Sequence, residues 1–460
     1  MQGTPEKRRR TGPERGFGDR PTRGSRRSFL KRLTAAAGTV AAGTAAAGTG
    51  LAAGLAAGRG AHAAGSDLLK VGLIGCGPRG SGAAVNALNA DPNAQLVAMA
   101  DMFPEVLQAS RQNVRNLKGA QVAVDDDHCF TGFDGYRHLI ASGVDVVLIA
   151  LPTHFHPICL KAAVEAGKHV FCEKVHAVDA PGVQTVLEAG ELARKKGLSI
   201  VSGLAWRYHT GVRETMQRVH DGAIGEIVSI EETCNTGSLR SRPRRPQWTE
   251  MEYQIRDWFN FFWLSCDLPG LNLVHNLDKA AWALHEEPPL RAWGMGGRQT
   301  RLGPQYGDAW DHHAIVYEYA NGLRMYAYCR QQNGCSPSIA DHFRGTKGRC
   351  DLLRCRIEGE TNWQYRGPGC NRFDLEHVAL FSAIRSGEPV NNSLYMARSS
   401  MLGIMATWAT YSGQVIPWEE AIRSKQVLAP ERYALDAEPP TLPDAEGRYP
   451  MPTPGATKFV

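Results

Sequence analysis

The sequence predicts an α/β protein in two parts: a doubly wound parallel-sheet domain, then an α+β domain with an open, mostly antiparallel sheet. Three observations predict it. Short apolar runs alternate with helical stretches through residues 64–205. A glycine turn, Gly75-x-Gly77-x-x-Gly80, follows the first of those runs at once. From about Asp221 the pattern changes to strand alternation and hairpins, with Asn321-Gly322 between two alternating runs.

Residues 1–63 read as an export signal rather than as part of the fold. Ser25-Arg26-Arg27-Ser28-Phe29-Leu30-Lys31 is a twin-arginine pattern, preceded by a basic segment rich in Arg, Gly and Pro. An uncharged Ala/Gly/Thr run from Leu33 to Gly58 follows, and Ala61-His62-Ala63 offers a cleavage site. This order predicts export of an already folded chain by the twin-arginine translocase, to the periplasm or beyond. The signal holds twelve Lys/Arg and three Asp/Glu, so the formal +6 of the whole chain becomes −3 without it. The remaining chain makes no case for nucleic acid or an anionic membrane as a partner. All eleven cysteines lie beyond residue 63 and form no C-x-x-C pair, which gives no support to a zinc ribbon or thioredoxin-type centre. Their odd number argues against a fully paired framework, with Cys350, Cys355 and Cys370 the ones able to pair after export.

Leu68 to Ile74 is a short apolar run of the kind a parallel strand covered on both faces requires. In the turn after it, Gly75 permits the bend, Gly77 lets backbone approach a pyrophosphate, and Gly80 allows close helix packing, with Pro78 and Arg79 between them. The helical stretch Gly82 to Ala90 completes strand, turn and helix. The next strand, Ala94 to Ala100, ends at Asp101, whose carboxylate is placed to accept both ribose hydroxyls of an adenosine. These are the marks of a Rossmann domain. Asp101 disfavours a 2′-phosphate and favours NAD, while Arg79 keeps NADP open. Strand Val144 to Ala150 runs into the loop Leu151-Pro152-Thr153-His154-Phe155-His156-Pro157 at the sheet edge where ligands bind. Helix 158–166, strand His169 to Cys172 ending in Glu173-Lys174, a helix from Pro181 to Lys196 and strand Ser199 to Gly203 finish the domain. Nicotinamide dinucleotides are not freely supplied outside the cytoplasm, so an exported enzyme of this kind is expected to hold its cofactor without dissociation and to recycle it.

The glycine turn, the Pro152-Thr153-x-x-His156-x-Pro loop, Glu173-Lys174 at a strand end and a later His275-x-x-Asp278 together resemble the glucose–fructose oxidoreductase/inositol dehydrogenase (Gfo/Idh/MocA) family. Gly203 to Tyr208, Arg213 to Gly225 and His275 to Trp282 look like its exported branch. The resemblance implies a Rossmann domain followed by an open sheet that covers the substrate and often forms the subunit contact, hence a homodimer or homotetramer. It implies Lys174, His275 and Asp278 as catalytic residues. Gly75, Gly77, Pro78, Arg79, Gly80, Asp101, Pro152, Thr153, His156, Glu173 and Lys174 are then the cofactor residues, with no metal. The chemistry is coherent by itself: a histidine takes the hydroxyl proton while a lysine polarises the oxygen. The chain departs from the pattern at Val175-His176, where the family has Pro and a small or apolar residue, and at Leu271, where an acidic residue is common. His176 reads as a replacement imidazole or, more simply, as a solvated loop histidine.

In the second part, Ile227 to Thr233 reads as a strand, and 315–319 and 323–328 as a hairpin. Leu375 to Arg385 and Ala397 to Tyr411 read as helices packing back on the first domain. This sets boundaries at 1–63 for the signal, 64–205 for the Rossmann domain, 206–437 for the substrate and oligomerisation domain, and 438–460 for a Pro-rich arm or disordered tail. Arg240, Arg242, Arg244 and Arg245 read as a solvated or subunit-contact loop, or as a cap for an anionic sugar. Asp311-His312-His313 lacks a third ligand at metal spacing. The function expected is an exported NAD(P)-dependent oxidoreductase acting on a sugar, sugar derivative or cyclitol. The alternatives are redox-neutral glycoside cleavage through a transient keto-sugar, with His209 or Tyr208 as second base, and a non-catalytic sugar-binding protein.

Overall fold

The computed structural model describes residues 67–238 and 241–459, so the segment expected to be an export signal and Arg240 lie outside the described residues. Six strands, β1 (Leu69–Ile74), β2 (Ala94–Asp101), β3 (Cys129–Thr131), β4 (Val146–Ile149), β5 (His169–Cys172) and β6 (Ile200–Ser202), form one sheet in the order 3-2-1-4-5-6. Every pairing is parallel. The four residues of β4 are all buried, because helices cover both faces of the sheet. Order reverses between β1 and β4, which opens a crevice beyond their carboxyl ends. Each neighbouring segment of the site leaves the sheet there.

The second sheet has nine strands: β7 (Ile227–Thr236), β8 (Arg291–Gly297), β9 (His312–Glu318), β10 (Arg324–Gln331), β11 (Ser338–Gly345), β12 (Gly348–Asp351), β13 (Arg356–Gly359), β14 (Trp363–Gln364) and β15 (Ile416–Pro417). Their order is 14-13-12-11-7-10-9-8-15, with β7–β10 parallel and every other pair antiparallel. Asn321-Gly322 makes the β9–β10 turn, with Gly322 at φ +82°. Ile230, Cys234, Ile315, Tyr317, Met325 and Ala327 point to the buried face.

That face is covered by helices Val274–Ala283 and Ser393–Ser412. The latter is apolar all round and buried from Ser399 to Ser412, as an interior helix must be. Its hydroxyls bond back to their own helix: Ser400 Oγ to Met396 O at 2.7 Å, Thr410 Oγ1 to Ala406 O at 3.0 Å and Ser412 Oγ to Trp408 O at 2.6 Å. The Pro-rich end is an ordered arm against this domain. Phe459 stacks on Trp408 with centroids 5.6 Å apart, and Tyr449 Oη donates to Glu250 Oε1 at 2.5 Å. All eleven cysteines are free thiols.

Candidate active site

The glycine turn is built by close approach. Gly75 has φ +92°, and a Cβ there would lie 2.3 Å from Ala150 O; one on Gly80 would lie 1.8 Å from Gly75 O. A Cβ on Gly77 would meet nothing within 4 Å, so the turn faces open space. Helix Pro78–Ala90 starts on Gly77 without a side-chain cap, leaving its first N–H groups to a ligand. Asp101 Oδ2 accepts from Cys76 N at 2.7 Å and Oδ1 from Phe103 N at 2.9 Å. Each oxygen retains a lone pair for a ribose hydroxyl, while burial raises the Asp101 pKa. Beside Asp101 an apolar recess opens between Ile74, Met102, Phe133, Tyr136, Pro152 and Phe155. Slot, carboxylate and uncapped helix match the base, ribose and pyrophosphate of a dinucleotide. Arg79 is not free to meet a 2′-phosphate: its Nε bonds Glu173 Oε1 at 2.5 Å and its Nη2 bonds Glu376 Oε1 at 3.0 Å. The nearer cation is Arg256, whose guanidinium lies 3.5 Å from the Phe103 ring centroid and is paired with Glu105 and Glu252.

Glu173 and Lys174 leave β5 on the same edge. Lys174 Nζ donates to the carbonyl of Leu271, a residue of the π-helical turn Pro269–Leu273 that runs directly into helix Val274–Ala283. The acidic side chain missing at this position is thus replaced, for Lys174, by a backbone oxygen. Burial lowers the Lys174 pKa, with Glu173 partly opposing. The Lys174–Val175 peptide is cis. His156, expected from the loop pattern among the cofactor residues, has its ring nitrogens bonded within the protein. Its Nδ1 donates to Val175 O at 2.6 Å and its Nε2 accepts from Leu151 N at 3.2 Å, so both nitrogens are spent joining two loops. Burial holds it neutral, with a pKa of about 4. Thr153 is buried beneath the same loop.

His275 enters from helix Val274–Ala283. Its buried Nδ1 has no partner among the described residues. Burial lowers its pKa well below the ordinary value, and the cations Lys174, Lys279, Arg372 and Arg79 reinforce that direction. Lys174 and His275 therefore share one electrostatic site. Asp278 does not join it, which corrects the expectation that it orients the imidazole. Its Oδ1 accepts from Arg207 Nη2 at 2.8 Å and from Ser399 Oγ at 2.8 Å, locking helix to helix instead. Lys279, one turn after His275, pairs with Asp341 at 3.0 Å. Asp341 stands directly opposite Glu232 across β7 and β11, and Asn276 Nδ2 donates to Asp341 Oδ1 at 2.8 Å. Burial and the Asp341 charge raise the Glu232 pKa. Strand alternation gave no sign of these inward carboxyls; only the register brings them together.

Other candidates are occupied elsewhere. His176 is fully buried, with Nε2 3.0 Å from Ser202 Oγ, so it is neither a solvated loop residue nor in reach of a ligand. Tyr208 Oη donates to Asn392 Oδ1 at 2.9 Å, and burial pushes its pKa to about 12. His209 Nδ1 accepts from Val212 N at 3.2 Å, which puts the ring proton of the neutral imidazole on Nε2. Neither is set up as a second base. Arg244 pairs with Glu250 at 2.5 Å, and Arg245 lies over Trp248. Asp311 Oδ2 accepts from the backbone N–H groups of Gln299, Thr300 and Arg301, anchoring their loop.

Residues 69–203 match the oxidoreductase family GFO_IDH_MocA, with its NAD-binding Rossmann fold. An inositol 2-dehydrogenase of Saccharopolyspora erythraea is 32% identical over 219 residues, 48% of this chain and 55% of the relative. The chain thus spans about half the length of that curated relative. An aldose–aldose oxidoreductase of Caulobacter crescentus solved with glycerol superposes with a TM-score of 0.59 at 18% identity, over 76% of this chain and 99% of the other. The scyllo-inositol dehydrogenase of Lactobacillus casei with NAD(H) and scyllo-inositol gives 0.58 at 17%, over 76% and 99%. These two likenesses show a shared fold across both sheets.

Proposed function

Starting from a Rossmann half that belongs to the Gfo/Idh/MocA oxidoreductase family, we propose that the chain oxidises a secondary alcohol of a sugar, sugar derivative or cyclitol with NAD. The observation that carries this reading is the bond from Lys174 Nζ to the carbonyl of Leu271, one turn before His275, at the crevice edge. Glu173 ties that edge to the cofactor turn through Arg79.

Asp101, the glycine turn and the start of helix Pro78–Ala90 hold the dinucleotide, which when bound supplies the hydride acceptor. Lys174, held by the Leu271 carbonyl, donates to the substrate oxygen and stabilises developing negative charge. His275, kept neutral by burial and surrounding cations, takes the hydroxyl proton as the C–H pair departs as hydride. Return of both to a second carbonyl restores the starting state, so cofactor need not leave. The inositol dehydrogenases among the relatives support a polyol substrate.

Export through the twin-arginine translocase and non-dissociating cofactor belong to the same proposal, supported by Ser25 to Lys31 ahead of the cofactor fold. The half-exposed outer face of the nine-stranded sheet, with Tyr326, Tyr328 and Met295, supports a homo-oligomer. The test uses protein exported natively and purified without added cofactor. Denaturation should release stoichiometric NAD(H) whose redox state changes on exposure to a sugar panel, and Arg26→Lys with Arg27→Lys should retain the protein in the cytoplasm. Protein without cofactor, or with cofactor inert to every sugar, refutes the reading.

A further inference from the structure

The charges around His275 are unevenly answered. Of the four cations acting on it, Arg79 is paired with Glu173 and Glu376, and Lys279 with Asp341. Lys174 is held by the Leu271 carbonyl, in position for a reacting oxygen. Arg372 makes no hydrogen bond and no ion pair among the described residues; its guanidinium lies 4.1 Å from the Trp206 ring centroid and 4.5 Å from that of Phe373. The same Trp206 ring carries Lys279 Nζ at 5.1 Å, and Lys279 stands one helical turn after His275. His209 lies against Trp206, with centroids 5.6 Å apart and its Nε2–H directed away from the bond made by Nδ1. Burial lowers the Arg372 pKa, with the Glu376 charge partly opposing.

We propose that Arg372 is a specificity residue for an acidic sugar: the substrate carries a carboxylate that pairs with the Arg372 guanidinium beside Trp206 and His209. The assignment rests on the oxidoreductase reading above and narrows its substrate. A guanidinium forks onto a carboxylate with two parallel hydrogen bonds, and the Arg372 donors make no hydrogen bond among the described residues. One cation without a hydrogen-bonded counter-ion matches a monoanion. A phosphate dianion would leave surplus negative charge in a site where Glu173 and Asp341 already partner Arg79 and Lys279. A neutral hexose would leave the guanidinium half-buried and unpaired in the complex. The Arg loop before Trp248 does not supply this function, since Arg244 and Arg245 are engaged locally.

The experiment compares sugars differing only in the anion, galactose with galacturonate and glucose with glucuronate, and adds glucose 6-phosphate. Wild-type protein loaded with NAD+, Arg372→Gln and Arg372→Lys are measured by cofactor reduction and by calorimetric binding. The acidic partner should be preferred by about 10–100-fold in kcat/KM, the worth of a charge-assisted pair. Measured as the ratio of acidic to neutral sugar within each variant, that preference should be erased by Arg372→Gln, and Arg372→Lys, charged but without the fork, should fall between. Equal use of acidic and neutral sugars, preference for the phosphate, or a preference that survives Arg372→Gln overturns the proposal. If no sugar reduces the cofactor, binding decides separately. Uronate binding lost in Arg372→Gln keeps the acid site while the redox reading fails, and binding of neither sugar removes both. A thermal melt of each variant excludes a folding defect.

Discussion

Replacing Asp278 with Asn distinguishes the arrangement found here from the one its spacing after His275 suggests. Its carboxylate takes three hydrogen bonds from Arg207 Nε and Nη2, at 2.8, 2.9 and 3.1 Å, and a fourth from Ser399. At 2.8 Å and an effective dielectric near 20, the attraction is about 6 kcal/mol. Desolvating two side chains only 1% and 10% exposed offsets much of that. The amide preserves volume and one acceptor, but leaves Arg207 with Glu286, 2.7 Å away, as its remaining counter-charge. Breaking a buried pair costs about 3–5 kcal/mol; with Glu286 and the amide oxygen in place, about 2–3 kcal/mol of unfolding free energy should be lost. Urea unfolding of wild type, Asp278→Asn, Arg207→Met and the double variant measures the loss and its coupling. Under native conditions the folded Asp278→Asn enzyme should keep kcat/KM within about threefold. An unchanged unfolding curve with kcat/KM reduced about 100-fold would refute the assignment and return Asp278 to the imidazole.

Two more outcomes follow from the same geometry. Folded His154 and His156 have pKa values of about 4, and His176 and His377 about 3, all lowered first by burial. The unfolded chain binds protons at these sites from about pH 6.5 downward while the folded chain does not. Stability should therefore fall on acidification below about pH 6.5, by about 1.4 kcal/mol per pH unit for each fully titrating histidine until the folded values are reached. The urea midpoint at pH 5 should lie well below that at pH 7; equal midpoints would contradict the burial. Gly80→Ala places a methyl 1.8 Å from Gly75 O, so the turn must open. Dinucleotide affinity should drop by about 10-fold or more, and calorimetric titration with NAD+ showing no change would contradict this reading of the turn.

Local pattern made the parallel sheet legible. Runs such as Val146–Ile149, the glycine turn and the Asn321-Gly322 hairpin each announce themselves within a few residues. Helix Pro104–Lys118 escaped because it buries little beyond Leu107, Ser110 and Val114, too narrow a stripe amid charged residues. Pro269 to Leu273 forms a π-turn that runs into the next helix, with the Gly270 backbone packed against Gly403, an arrangement that no local pattern announces. Lys174 and His275 were legible as residues. The partners that decide their chemistry were not: the Leu271 carbonyl, the Lys279–Asp341 pair and Arg372 come from distant segments. Asp278 and His156 show the opposite error, in which motif spacing suggested a contact that packing spends elsewhere. His176 belongs with them, since a polar residue beside a functional lysine gives no local sign of burial.

The central claim is that Lys174 and His275 act together on a substrate hydroxyl beside bound NAD. It is tested most directly by nicotinamide absorbance in a single turnover of cofactor-loaded wild type, Lys174→Ala and His275→Asn, mixed with the sugar panel. The account predicts cofactor reduction in wild type, a rate lower by about 100-fold or more in each variant, and unchanged cofactor content in all three. Reduction at the wild-type rate in Lys174→Ala would contradict it.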